Sequence, residues 1–165
     1  MSKHSQAALE EDFIRTIREN EKIIFKVCSF YVSEQSPMDD LYQETVFNLW
    51  KSFPKFRNES SYSTWIYRVA LNTCISDFRR ESKFHRHVPL ALSESIAYDP
   101  DSMDDEIREL YRLIYQLKNL ERAIILLWLE EKSYQEIADI TGLSLCNVGT
   151  KLKRIKEKLK TMSNQ

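Results

Sequence analysis

The chain has 165 residues, enough for one ordinary domain or two small ones with a buried core. Only two glycines and four prolines interrupt a composition that is 42% hydrophobic and 30% charged, which favours long amphipathic helices over sheets or a disordered chain. The net charge of −1 neither supports nor excludes a nucleic-acid partner. We therefore expect an all-helical protein.

The amino-terminal segment is acidic and periodic, and it lacks the cationic flank and apolar run of a signal peptide. No apolar stretch approaches the ~20 residues needed to span a bilayer. These features predict a cytosolic protein without membrane insertion. Cys28, Cys74 and Cys146 are odd in number and far apart, which predicts reduced, mostly buried thiols and no disulfide framework.

Residues 39–53, "DDLYQETVFNLWKSF", have a clear helical period. The predicted core side carries Tyr42, Val46, Leu49, Trp50 and Phe53. The opposite side gathers Asp40, Gln43, Glu44, Asn48 and Lys51 around Phe47. An apolar ring in a polar surface suggests a protein contact, although a single exposed Phe is common and needs no partner.

A second helix is predicted from Thr64 to Arg80. Its inward stripe is Tyr67, Ala70, Leu71, Cys74, Ile75 and Phe78. Its other side carries Trp65, Arg68, Asn72, Ser76 and Arg79. The preceding loop, "FRNESS", offers Asn58, Glu59, Ser60 and Ser61 for hydrogen bonds to something small and flat.

Aromatic rings among Arg and Asn side chains suit unpaired nucleic acid, because stacking contributes roughly 1–3 kcal/mol per base and polar groups read the free base edges. Double-stranded DNA does not need the rings. The alternative is that Trp65 packs against a neighbouring helix and only Arg68 and Arg79 reach solvent.

Residues 81–110 carry 3 basic and 8 acidic side chains and include Pro89 and Pro100. This composition indicates a linker between two helical domains. We predict domains at residues 1–82 and 106–165, joined by an acidic linker at 83–105. The alternative is a solvated loop inside one domain.

The stretch "SYQEIADITGLSLCNVGTKLKRIKEKL" has the layout of a helix-turn-helix. Ser133 can cap a first helix whose apolar positions Tyr134, Ile137 and Ala138 face inward. Gly142 suits the left-handed residue that ends this helix, and Ser144 can cap the next one.

In the second helix, one apolar stripe is predicted to face the core: Val148, Leu152, Ile155 and Leu159. The opposite face carries Asn147, Thr150, Lys153 and Arg154, with Cys146 beside them and Lys151 as a further basic group. These side chains can reach base edges and phosphates in a major groove. The alternative is a solvated, lysine-rich surface. Gly149 costs roughly 1 kcal/mol inside a helix and suggests close approach to DNA or a protein.

The segments "DDLYQETVFNLW", "FRNESSYSTWIYRVALN" and "SYQEIADITGLSLCNVGTKLKRIKEKL" resemble the signatures of the extracytoplasmic-function sigma factors of bacterial RNA polymerase, in that family's order and separations. The resemblance implies two helical domains. The first binds the polymerase core and opens the −10 promoter element, the second binds the −35 element as duplex, and the acidic linker threads the polymerase channel.

The helix faces described above and the resemblance together give roles to individual residues. Five of these assignments rest on the residue pattern and not on the resemblance: Phe47, Trp65, Arg79, Asn147 and Lys151. Polymerase binding is assigned to Asp40, Gln43, Glu44, Phe47 and Asn48. Binding of the unpaired −10 strand is assigned to Asn58, Glu59, Ser60, Ser61, Trp65, Arg68, Asn72 and Arg79. Recognition of the −35 duplex is assigned to Asn147, Thr150, Lys151, Lys153 and Arg154. A separate anti-sigma factor is expected as a regulator, because the chain contains no such module.

Two other classes of function compete with this interpretation. A helix-turn-helix repressor or activator that never joins polymerase would use residues 111–165 and leave the motifs at 39–72 unexplained. An enzyme is disfavoured because His85 and His87 are the only paired candidate metal ligands, and no Cys, Asp or Glu completes a zinc spacing. We expect no catalytic activity, no metal and no cofactor.

Overall fold

The computed structural model describes the backbone of residues 3–82 and 104–165, and the side chains of residues 5–76 and 104–165. These parts are helical and contain no strand, which confirms the all-α prediction. The helices are α1 (Lys3–Ser29), α2 (Met38–Ser52), a 3-10 turn (Phe53–Lys55), α3 (Tyr62–Ser82), α4 (Asp105–Tyr115), α5 (Asn119–Leu129), α6 (Tyr134–Thr141) and α7 (Leu145–Ser163). The chain divides into two compact units, Met1–Ala91 and Leu92–Gln165, here called the first and second units.

The first unit is a three-helix arrangement in which α1, α2 and α3 all contact one another. Its centre is a set of completely buried aliphatic side chains, Ile24, Leu41, Leu49 and Ile66. Full burial of one such side chain contributes about 1.5–3 kcal/mol. These four side chains therefore hold the three helices together and support their outward faces.

The buried stripe of α2 differs from the predicted one. Leu41, Thr45 and Leu49 are buried, whereas Tyr42, Val46 and Trp50 are only half-buried at the border of the stripe. A threonine is tolerated in the core because its hydroxyl lies 3.6 Å from the Cys28 sulfur, within hydrogen-bonding reach. The predicted core face was chosen from apolar residues alone, which left out Thr45. It is therefore rotated around the α2 axis relative to the buried face.

The helix-turn-helix of the second unit forms with the predicted caps. Ser133 Oγ accepts a hydrogen bond from the Glu136 N–H at 3.1 Å, and the Glu136 carboxylate accepts one from the Ser133 N–H at 2.8 Å. Gly142 ends α6 with φ 75°, and Ser144 Oγ accepts from the Asn147 N–H at 3.2 Å. All four residues of the predicted α7 stripe are buried: Val148, Leu152, Ile155 and Leu159. Local sequence signals therefore define this motif.

Tyr134 was predicted to face inward with Ile137 and Ala138, and this prediction is wrong. Ile137 and Ala138 are buried, but Tyr134 is 44% exposed. Tyr134 is the first residue of α6, and its ring lies against the neighbouring helix at Gly149. Because Gly149 has no side chain, the Tyr134 ring packs close to the backbone of α7 at that position. Tyr134 therefore packs on the outer surface of the helix-turn-helix and not in its core.

We expect Gly149→Ala to raise the free energy of unfolding of the second unit by up to about 1 kcal/mol. An added Cβ would meet the Tyr134 ring at 3.6 and 3.9 Å, which is ordinary contact. The measurement is denaturant unfolding of the full chain, with hydrogen exchange localising the change. Gly142→Ala is the matched control: its φ of 75° strains any alanine, so it should destabilise by roughly 1–2 kcal/mol. A Gly149→Ala variant that unfolds more readily would contradict the prediction.

The turn between α4 and α5 is held by a buried arginine that the sequence reading did not single out. The Arg122 guanidinium donates through Nη2 to the Tyr115 carbonyl, with a second contact to the Leu117 carbonyl at 3.4 Å. It also lies 5.6 Å from the centre of the Tyr115 ring, and burial raises the pKa of that tyrosine to about 12. Arg122 therefore satisfies the carbonyl of the last residue of α4 and one carbonyl in the turn that follows.

Most of the predicted acidic linker, residues 83–105, lies outside the described residues; Asp105 is already the first residue of α4. None of the helices in the described ranges is long and apolar enough to cross a membrane. Cys28 and Cys74 are buried, as predicted, while Cys146 is exposed.

Candidate nucleic-acid interface

The outward face of α3 presents two of the predicted DNA-binding side chains. Arg68 and Asn72 are both exposed and stand one turn apart on the same side of the helix. Arg79 lies further along α3, but its side chain falls outside the described residues. Arg68 carries a permanent charge suited to phosphate, and Asn72 offers both donors and an acceptor to a base edge.

Trp65 was predicted on this exposed face, and that placement is wrong. Its side chain is 7% exposed, with ring centroids 6.1 Å from Phe53 and 5.1 Å from Phe56. The chain from the 3-10 turn to Phe56 folds back over the start of α3 and covers the indole. Trp65 is therefore a core residue that supports the interface from below.

The loop between the 3-10 turn and α3 is closed at its base by aromatic rings. Phe56 and Tyr62, just before and just after the loop, stack with centroids 4.9 Å apart and ring planes 30° from parallel. Tyr62 is 40% exposed. The sequence reading missed both residues, although an aromatic at each end of a short polar loop was a visible signal. The stacked pair fixes where the loop begins and ends.

The predicted loop residues have different surroundings. Asn58 is exposed and adopts a left-handed backbone with φ 56°, Glu59 is exposed, and Ser60 is half-buried. Ser61 Oγ accepts a hydrogen bond from the Thr64 N–H at 3.2 Å and donates to Thr64 Oγ1 at 3.1 Å. Ser61 thus caps α3, while the tip of the loop faces solvent.

The outward face of α2 carries all but one of the residues predicted to bind polymerase. Asp40, Gln43 and Glu44 are exposed, and Phe47 is 54% exposed. Asn48 is half-buried, and its Nδ2 donates to Thr73 Oγ1 at 3.1 Å. Its amide therefore joins α2 to α3, which corrects its prediction as part of the outward surface.

The outer face of α7 carries the residues predicted to read duplex DNA. Asn147, Thr150, Lys153 and Arg154 are exposed, and Lys151 is half-buried. The next lysine, Lys156, is turned away from this face and lies with Nζ 3.7 Å from the centre of the Trp128 ring. A helix that follows a capped turn and presents these side chains can enter a major groove.

Comparison with known proteins relates both units to a single family. Residues 16–84 match the model for Sigma-70 region 2, and residues 107–159 match that for Sigma-70, region 4. The RNA polymerase sigma factor YlaC of Bacillus subtilis (strain 168) is 33% identical over 129 residues, covering 73% of this chain and 74% of that protein. The ECF RNA polymerase sigma-E factor of Haemophilus influenzae is 30% identical over 139 residues, covering 76% and 71%. The chain belongs to the extracytoplasmic-function sigma factors.

The fold of this sigma factor agrees with solved structures. The sigma factor RpoE from Bartonella quintana, crystallised with the anti-sigma factor NepR, aligns with a TM-score of 0.73 at 16% identity, over 93% of this chain and 98% of that one. CnrH, in complex with the cytosolic domain of CnrY, aligns with a TM-score of 0.65 at 18% identity, over 94% and 89%. These two structures share the fold of this chain. The matches to Sigma-70 regions 2 and 4 and the curated relatives make it an RNA polymerase sigma factor, a class of DNA-binding transcription initiation factor.

Within the ranges that the structure describes, this sigma factor brings together no group of three or more His, Cys, Asp and Glu side chains able to hold a metal ion. His85 and His87, the only paired candidate ligands in the sequence, lie outside those ranges. The predicted site residues in those ranges offer exposed amides, hydroxyls, carboxylates, cations and aromatic rings. Groups of these kinds are suited to binding nucleic acid or protein.

Proposed function

We propose that this sigma factor binds the polymerase core through α2, captures the unpaired −10 strand with α3 and the loop before it, and holds the −35 duplex with α7. One observation carries the proposal: Arg68 and Asn72 are exposed on the helix that follows a loop closed by the stacked Phe56 and Tyr62 rings. A protein that bound only duplex DNA would have no use for this arrangement.

Capture of a base must offset the few kcal/mol that unstacking and unpairing cost. The half-exposed Tyr62 ring supplies a stacking surface at the foot of the loop. Asn58, Glu59 and Ser60 place polar groups at the loop tip, and Asn72 faces solvent from the helix. The stacked Phe56 and Tyr62 rings hold the two ends of the loop together, so part of the ordering that binding requires is already in place. Easily opened A·T steps are the favoured substrate.

At the −35 element, we propose that some side chains of α7 position the protein on the phosphate backbone and that others recognise the base sequence. Lys151 and Lys153 supply charge for backbone phosphates, which gives affinity that falls with salt. Asn147, Thr150 and Arg154 are long or polar enough to reach base edges in the major groove. The capped start of α7 at Ser144 fixes the depth at which these side chains enter.

The test is transcription by purified bacterial core polymerase on a pool of genomic fragments, with and without this protein, followed by mapping of the new start sites. New starts that share two short upstream elements would support the proposal and reveal both elements. If no start appears while the protein alone binds duplex DNA tightly, the repressor alternative is favoured and the "FRNESS" loop is left as a surface without an explanation.

Arg154→Ala is expected to weaken promoter recognition roughly tenfold, since a bidentate base contact contributes about 1–3 kcal/mol. The measurement is transcription from a set of −35 variants. Lys156→Ala is the matched control, because it removes one charge from the same helix at a side chain packed on Trp128. The control should retain the ranking of −35 variants, and Arg154→Ala should flatten it. An unchanged ranking in Arg154→Ala would remove this residue from base reading.

Glu44→Ala is expected to lower the affinity for polymerase core about two- to fivefold, mainly by slowing association, because an exposed charge pair contributes roughly 0.2–1 kcal/mol. Titration of labelled protein with core polymerase measures it. Glu34→Ala removes an exposed carboxylate of the same unit that lies in the turn before α2, and it should bind normally. If both variants give the same titration curve as the unmodified protein, Glu44 is excluded from the interface.

Two further proposals concern the acidic linker and a regulatory partner. The acidic segment 83–105 is proposed to occupy the polymerase channel, where negative charge can stand in for nucleic acid. A separate anti-sigma factor is proposed as the regulator, supported by the solved RpoE and CnrH structures, each of which was determined with a bound partner.

A further inference from the structure

A pair of cysteines lies at the centre of the first unit, outside every proposed interface. The sulfurs of Cys28 on α1 and Cys74 on α3 are 4.0 Å apart although the residues are 46 positions apart in the chain. Their side chains are 0% and 1% exposed. Proteins often bury single cysteines as small apolar groups, but two thiols this close across a helix seam can be joined as a disulfide when an oxidant accepts two electrons.

The surroundings of the pair favour reaction at Cys28. The Cys74 thiol donates a hydrogen bond to the Cys28 sulfur, and this lowers the pKa of the Cys28 thiol. Burial opposes that effect, and the Thr45 hydroxyl, 3.6 Å away, adds to it. The thiolate is the form that attacks an oxidant, so Cys28 is the better suited of the two sulfurs to attack, and Cys74 lies where it can form the disulfide in the next step.

We propose that Cys28 and Cys74 form a reversible redox pair, which a hydroperoxide converts into a disulfide joining α1 to α3. The Cys28 thiolate attacks one peroxide oxygen, the O–O bond breaks, and the departing oxygen takes up a proton and leaves as water or alcohol. Cys28 is then a sulfenic acid. The Cys74 sulfur attacks the Cys28 sulfur, the S–O bond breaks, and the hydroxyl leaves with the Cys74 proton as water. Two electrons pass from the thiols to the peroxide.

Bond formation requires the sulfurs to approach from 4.0 Å to about 2.05 Å. It also ends the thiol hydrogen bond between them and draws Cys28 from its contact with Thr45 on α2. Hydroperoxide reaches the pair during local openings of the α1–α3 seam, so the reaction is slower than at the exposed Cys146. Cys74 is two positions after Asn72 on α3, so the disulfide would anchor α3 directly beneath the proposed −10 surface.

The test uses the full chain with Cys146→Ser, which removes the exposed thiol that could link two molecules. The folded protein is treated with hydrogen peroxide, unfolded in guanidinium with iodoacetamide, and weighed intact. The expected product has lost two hydrogens, takes up no alkyl group, and regains both reactive thiols after dithiothreitol. Peptide mapping should find Cys28 bonded to Cys74.

The control combines Cys28→Ala with Cys146→Ser, checked by circular dichroism for native helix content, and it should form no disulfide within the chain. Two alkyl groups on the peroxide-treated Cys146→Ser protein would overturn the proposal. A disulfide that forms only when peroxide is added in guanidinium would overturn it as well, because the folded arrangement of the sulfurs would then have no part in the reaction.

Discussion

Trp65→Ala is expected to lower the free energy of unfolding of the first unit by about 3–5 kcal/mol, the usual cost of removing a buried aromatic side chain. The indole fills the space between α3 and the chain from Phe53 to Phe56, and alanine would leave a cavity there. Denaturant unfolding followed by circular dichroism measures the loss. Hydrogen exchange in α1 and α3 assigns it to the first unit.

Tyr62→Ala is the matched control for this prediction, since Tyr62 belongs to the same aromatic cluster but is 40% exposed. It should cost much less stability than Trp65→Ala. The prediction is contradicted if Trp65→Ala keeps the wild-type free energy of unfolding and loses only its binding to unpaired DNA. The indole would then belong to the DNA-facing surface.

Asn72→Ala is expected to slow open-complex formation by roughly tenfold to hundredfold while polymerase binding is unchanged, because a captured base would lose hydrogen bonds worth about 1.5–3 kcal/mol. Asn72 is exposed on α3, so its removal should leave the fold intact. A fluorescent base analogue that reports unpairing at the −10 element provides the measurement, and core titration provides the parallel readout.

The control for Asn72 is Gln35→Ala, which removes an exposed amide from the turn between α1 and α2 in the same unit. This variant should open promoters at the normal rate. Normal opening by Asn72→Ala would exclude the residue from base capture, and a parallel loss of polymerase binding would show that the substitution acts elsewhere.

Local features of the fold could be predicted from the sequence. The capping residues Ser133 and Ser144 and the left-handed Gly142 each depend on contacts within four positions along the chain. The α7 stripe follows from helical period alone, and so do its exposed residues. For these elements, nearest neighbours in sequence determine the structure.

Contacts between elements could not be predicted in the same way. Trp65 is buried because a separate turn folds over it, and Asn48 is engaged because Thr73 of another helix stands opposite. The Arg122 guanidinium is accommodated in the interior because it donates a hydrogen bond to the carbonyl at the end of α4. Helical period assigns a direction to each side chain, but it contains no information about which other element lies in that direction.

The left-handed backbone at Asn58 limits how the proposed −10 surface of this protein can evolve. A φ of 56° is accessible to asparagine, aspartate and glycine at low cost and is strained for branched residues. Position 58 therefore shapes the loop, while Glu59 beside it has no such restriction. Changes of promoter preference, whether by natural drift or by laboratory selection, should accumulate at position 59 and leave position 58 nearly fixed.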